Sequence, residues 1–469
     1  MAGRTWLWGA VLVVWLAGCG APPEENDLAP TPAEALEVQE TDAVAAGAPG
    51  HDPRGRPYWV RPIRGADDDF PTGIEHDREG NVVTAGYSFP PVDFGTGPIG
   101  PANGLVGTLA KYRPDGTLVW AKLLVAPPPP GGGFGGVNIS ALHVDRVGNI
   151  LVGGGQTGGL DLGSGPLPEG AFLAQLNRQG NLQWVKSFVG IITPRAITTD
   201  RAGNVAMAAY QQGTVDYGDG PVTVPPTSLD ADVLVSYTPG LDLRWVYLEV
   251  SHGLLNDVSA DAEGDFYLAG IGPDPVLPFT AMARFQRISS KGCRVWLRTI
   301  PGANSFGVRA RVNGNRVITS GDVGNSFSFA GRPVVVFGTQ GFVAAYTRAG
   351  EERWAGAIGN GTAYADIDHQ NHVFATGRYT AGQPFGFGRG PLPGVTQDGG
   401  YLARIERSHG QLEQARMVAT GPVTPMDLSV TEDGRAGIIG LFGGATDFGF
   451  ATLDTVGKGD DVFVLQPRR

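Results

Sequence analysis

The sequence predicts an all-β protein, a seven-bladed β-propeller in which an N-terminal strand completes the last blade. Three observations carry this. Glycine and proline are abundant (73 and 36 of 469 residues), so helical patterns break every few residues while short apolar runs survive between turns. A turn motif between two apolar runs recurs seven times along the chain. The last copy lacks its final strand, and an unaccompanied strand stands before the first copy.

The recurring turn joins the first and second strands of each unit. It reads Asp77-Arg-Glu-Gly80-Asn81, Asp145-Arg-Val-Gly148-Asn149, Asp200-Arg-Ala-Gly203-Asn204 and Asp261-Ala-Glu-Gly264-Asp265. Weaker copies lie at Asn313-Gly314-Asn315, Asp368 to Asn371 and Glu432-Asp433-Gly434. Asp opening a turn and Gly or Asn accepting a left-handed backbone suit a tight connection between antiparallel strands. A second turn precedes the fourth strand, which carries Trp four residues after Gly at Gly116/Trp120, Gly180/Trp184, Gly292/Trp296 and Gly350/Trp354. Gly240 to Trp245 reads as one residue longer, and Gly410 is followed by Gln414 in place of Trp. The Trp series recurs in register, which points to packing between blades.

The chain ends distinguish a ring from an open stack. The last copy stops after its third strand, Asp461 to Gln466, while Asp52 to Ile63, with Trp59, is a fourth strand without the first three. Joined, they make a seventh blade and leave no open sheet edge between the ends.

These repeats resemble the SBBP-type β-propeller repeats of bacterial secreted and lipid-anchored proteins. The resemblance rests on the Asp-x-x-Gly-Asn turns, the Gly-x-x-x-Trp strands and the triplets Asp93-Phe94-Gly95, Asp161-Leu162-Gly163, Asp216-Tyr217-Gly218 and Asp447-Phe448-Gly449, and it covers about Asp52 to Arg469. It implies a fold and no fixed activity. Asp115 to Trp120 also looks like a quinoprotein-type repeat, but the long insert between second and third strands departs from that pattern, and no cofactor is expected.

The N-terminus reads as an address. Arg4 precedes the apolar run Trp6 to Leu16, too short to span a bilayer as a mature helix and arranged as a secretory signal. Leu16-Ala17-Gly18-Cys19 resembles the lipobox of bacterial lipoproteins, which implies acylation of Cys19 after cleavage, and Gly20 in place of Asp implies the outer membrane. The expected organisation is a signal peptide over 1–18, the lipidated Cys19 with an acidic, disordered tether over 19–51, and the propeller over 52–469. The tether carries Glu24, Glu25, Asp27, Glu34, Glu37, Glu40 and Asp42 without a balancing Lys or Arg.

A net charge of −11 lacks the basic footprint of a nucleic-acid binder. With Cys19 acylated, Cys293 is a lone thiol with no evident His partner. His369 and His372, beside Asp366 and Asp368, fall in an inter-strand turn without helical metalloprotease context, so they read as turn residues. Because strands alternate direction, the connections from second to third strand and from blade to blade share one face, and their length and variety make it the expected binding face. Arg195, Asn256, Asp257, Arg309, Tyr364 and Asp427 fall near the start of successive innermost strands and are the candidate ligand-binding residues, with Asp69, Phe70 and Phe306 nearby. Ordinary solvated or channel-stabilising roles compete with that reading. No catalytic or metal-binding residue is identified.

Two functions follow. The first is a lipid-anchored, non-catalytic binding or scaffold module of the cell envelope, with an unknown protein, peptide or glycan ligand. The alternative is a propeller enzyme, lactonase- or lyase-like, with a metal held in the central channel by residues from several blades.

Overall fold

A computed structural model describes residues 50–51, 57–101, 103–129, 132–250, 253–273, 281–300, 305–456 and 459–467. The signal segment, Cys19 and nearly all of the expected tether lie outside these residues. The described residues form β-strands and no helix.

Seven antiparallel sheets form the ring, each with a four-stranded core. Their innermost strands are Phe70–His76, Gly136–Val144, Ile191–Thr199, Leu254–Ala260, Phe306–Asn313, Asn360–Ile367 and Val423–Val430, which begin blades 1 to 7. The last blade closes as expected. Pro57–Ile63 pairs with Asp461–Gln466, bringing Trp59 opposite Gln466 and Ile63 opposite Val462. Gly50–His51, expected in the tether, instead adds a short strand outside Pro57–Ile63.

Each sequence signature has a physical role. In the first turn, Asp77 Oδ1 accepts the backbone N–H groups of Glu79 and Asn81, and Asp77 Oδ2 accepts the Asn81 amide. Asp145 and Asp200 repeat all of these bonds. Asx-turn bonds of this kind hold the backbone while Gly80, Gly148 and Gly203 take positive φ, and in blade 6 Asn371 takes that place with φ 65°. His372 belongs to the same device, its Nδ1 lying 3.0 Å from Asp368 Oδ2.

The Trp series joins neighbouring blades. Nε1 of Trp59, Trp120, Trp245, Trp296 and Trp354 donates to the carbonyls of Pro114, Arg178, Ser290, Arg348 and Arg407 in the next blade's turn, at 3.0–3.2 Å. A Cβ on Gly116, Gly292, Gly350 or Gly410 would meet the facing Trp ring at 2.4–3.0 Å, so glycine there serves the close approach as well as the turn. Two exceptions are informative. Blade 3's turn is not longer, as the sequence suggested: Leu241, four residues before Trp245, holds the left-handed position with φ 69°. A leucine stands there where the other turns facing a Trp have glycine, and among the described residues Trp184 has no bond equivalent to those of the other Trp side chains. Gln414 replaces Trp in blade 6 because blade 7 has no turn there to receive one: its third and fourth strands come from opposite ends of the chain.

The inserts between second and third strands also act between blades. The middle residues of three triplets, Phe94, Tyr217 and Phe448, are buried, while Asp93 Oδ1 accepts Gly95 and Gly97 N–H. Asp93 bridges Arg64 of blade 7, Tyr217 packs on Phe188 of blade 2 with ring centroids 5.9 Å apart, and Asp447 pairs with Thr420 of blade 6. Each of these inserts thus latches its blade to the one before, and much of the expected binding face is structural.

Candidate functional site

The innermost strands surround a central channel with a cavity of about 460 Å³. Six of the seven carry a β-bulge at the same register, which places Thr72, Ser140, Arg195, Asn256, Val308 and Met426 outside the ladder. Blade 6 has its irregularity nearer the strand's beginning, between Asn360 and Ala363. Bulges re-aim side chains, and all six bulged residues line the channel.

Below the bulges, two rings alternate with the pleat. Pairing with the second strands aligns Gly73, Ala141, Ala196, Asp257, Arg309, Tyr364 and Asp427 in one ring. Two residues further on, Glu75, His143, Thr198, Ser259, Arg311, Asp366 and Ser429 form the other. All six candidate residues from the sequence line the channel: four share the first ring, and Arg195 and Asn256 sit at the bulges above it. Phe70 instead stacks on Tyr87 at 4.8 Å, and Asp69 accepts the Gly65 N–H.

Most of the charged channel residues tie blades together. Arg309 Nη2 lies 2.6 Å from Asp427 Oδ1, reaching from blade 5 past Tyr364 of blade 6 to blade 7, and Asp427 Oδ2 accepts the Ile74 N–H of blade 1 at 3.0 Å. Asp257 accepts the Ala310 N–H and pairs with Arg311, whose Nε is 3.8 Å from Asp366 Oδ1. Asp366 Oδ2 accepts the Val430 N–H at 2.7 Å, so it belongs to the channel and not to a site with His369 and His372. Asn256 Nδ2 donates to the Gly307 carbonyl at 2.8 Å and Ser140 Oγ to the Pro194 carbonyl at 2.6 Å. In each case a channel side chain satisfies the backbone of the next blade's innermost strand, at the curved inner edge where strands of adjacent blades make no ladder.

Sequence reading missed Glu75, His143, Arg311 and the channel role of Asp366. Each lies two residues beyond a first-ring position, so strand alternation carried forward from Asp427 and Arg309 could have found them.

Burial sets the protonation of this wall. It pushes Glu75 up to about 8, against the pull of Arg311 and Arg309 and with further upward pressure from Asp366 and Asp427. Burial also raises Asp366 and Asp427, which the neighbouring arginines oppose. His76 and His143 are lowered by burial to about 4, so both are neutral at pH 7. Folded Glu75 therefore keeps its proton where an unfolded glutamate has lost it, and the stability this contributes is lost as pH rises from about 4.5 through 8. Glu75→Gln should match the wild type near pH 5 and exceed it at pH 8.5 by on the order of a few kcal/mol in urea unfolding. Parallel pH profiles for the two proteins would contradict this.

The chain is a seven-bladed β-propeller with a polar, ion-paired channel. No protein-family model matches it, and no curated protein does. Similar solved structures include a streptogramin B lyase, 12% identical with TM-score 0.43, covering 88% of this chain and 98% of that one. The Pan2 WD40 domain of Neurospora crassa is 7% identical with TM-score 0.47, covering 86% and 90%. The β-propeller domain of the Trilobed protease from Pyrococcus furiosus, described as having an open velcro topology, is 8% identical with TM-score 0.43, covering 85% and 95%. The likeness is one of fold.

Proposed function

We propose that this protein is a lipid-anchored module of the cell envelope, held through Cys19 at the outer membrane, whose propeller binds or scaffolds a partner without catalysing a reaction. The SBBP-type and lipobox resemblances support the setting. The observation that carries the non-catalytic part is the commitment of three of the channel carboxylates: Asp257, Asp366 and Asp427 each accept a neighbouring blade's backbone N–H and face a guanidinium. Such groups are held in place by the scaffold and are poorly disposed to exchange protons with a substrate. Among the described residues no group of three or more His, Cys, Asp or Glu is arranged to hold a metal ion.

The test is labelling of cells with a palmitate analogue, followed by membrane fractionation and in-cell crosslinking. The wild type should be labelled, sediment with outer membranes and crosslink to a defined partner, while Cys19→Ala loses label and sedimentation. Label that survives Cys19→Ala overturns the anchor, and turnover of a lactone by the purified protein overturns the non-catalytic reading.

A further inference from the structure

The channel wall is unequal around the ring. Blades 4 to 7 place Asp257, Arg309, Tyr364 and Asp427 in the first ring, whereas blades 1 to 3 place Gly73, Ala141 and Ala196. Arg309 and Asp427 pair within one half, whereas the first-ring side chains of blades 1 to 3 are no larger than a methyl group. Arg195, on blade 3, lines the cavity beside them. It is the only charged residue among the six bulged positions, and its Nε is buried without a hydrogen-bond partner. Arg309 and Arg311 pair with carboxylates, whereas Arg195 makes no ion pair with any described residue. Arg195 is half-buried, its Nε is out of contact with water without an acceptor, and it lines the cavity without a counter-charge, so the cavity offers a place for an anion.

The surroundings suit such a ligand. Ser140 and Asn256 are the bulged residues of the flanking blades, and the Asn256 amide has a second N–H beyond the one given to Gly307. Beneath them lie Glu75, His143 and Thr198, which at neutral pH present hydroxyl and ring groups without a negative charge. Arg146 and Arg201 line the same channel and likewise make no ion pair among the described residues, so they add attraction for an approaching anion in a protein of net charge −11.

We propose that Arg195, flanked by Ser140 and Asn256, anchors a small, hydroxylated oxyanion in the channel, with its carboxylate or phosphate group on the guanidinium fork and its polar body over Glu75, His143 and Thr198. The planar fork matches either group bidentately, and the cavity volume is that of a small-molecule site. This rests on the reading of the propeller as a binding module and names the class of ligand.

The experiment titrates inorganic phosphate and gluconate separately into the purified full chain by calorimetry, with chloride holding ionic strength constant. At least one should bind saturably, Arg195→Gln should weaken it by about tenfold or more, and Arg195→Lys should recover part of the loss. Without ligand, Arg195→Gln should melt at or above the wild-type temperature, because the guanidinium has no ion-pair partner to lose among the described residues. Absence of saturable binding by either anion, equal affinity in Arg195→Gln, or a marked fall in its unliganded melting temperature overturns the proposal. The titration involves neither Cys19 nor a protein partner, so its failure is distinct from failure of the anchoring and crosslinking test.

Discussion

A chain that begins at Arg64 should lose the cooperative unfolding of the full protein and associate through its exposed edge. The missing strand, Pro57–Ile63, supplies Trp59 and Val60, both fully buried, and Ile63, 4% exposed. Burial of three such side chains contributes on the order of 5 kcal/mol, comparable with the whole stability of many domains. Its removal also strips Asp461–Gln466 of a ladder partner, takes the Trp59 Nε1 bond from Pro114 and leaves the Gly116 turn facing empty space. An unpaired central strand is a template for another chain, so the truncated protein should elute as dimers or larger species and melt broadly. Adding a synthetic peptide of residues 52–63 should restore a single sharp transition, as expected when one missing strand is the whole defect. An unchanged melting temperature in the truncated chain would show that the ring does not depend on its closure.

This closure was legible in the sequence because it follows from repetition. Once Gly116/Trp120 and its copies set the order of strands, Asp52 to Ile63 could only be a fourth strand, and Asp461 to Gln466 could only be a third. The same repetition made Gln414 and Gly240 visible as departures, but their causes needed coordinates. Gln414 faces a blade without the receiving turn, and Leu241 rather than Gly240 holds the left-handed position. The candidate site was legible to a different degree. Arg195, Asn256, Asp257, Arg309, Tyr364 and Asp427 were picked for lying near the start of successive innermost strands, and all six line the channel. What could not be read was which of them are free. The Arg309–Asp427 pair spans 118 residues of sequence and skips a blade, and Arg195 differs from Arg309 in having no such partner, a property of three-dimensional neighbours that no local pattern encodes. The bulges were also hidden, since an extra residue in one strand shows only against the pairing of the next.

Asp427→Ala should destabilise the propeller by about 3–5 kcal/mol, the penalty typical of breaking a buried ion pair from one side. The variant leaves the Arg309 guanidinium buried without its carboxylate and the Ile74 N–H of blade 1 without its acceptor. Asp427→Asn should fall between the two, because its carbonyl can still accept the Ile74 N–H while the charge facing Arg309 is gone. The double variant Arg309→Met with Asp427→Ala removes both charges and should recover much of the loss in urea unfolding. Such non-additivity is the signature of a coupled pair. It also separates the two kinds of arginine in this channel. Arg309 can be removed cheaply only together with Asp427, whereas Arg195 can be removed alone, because one guanidinium is part of the ring's construction and the other faces the cavity unpaired. Additive costs for Arg309 and Asp427 would mean that the tie across blade 6 does not bear on stability.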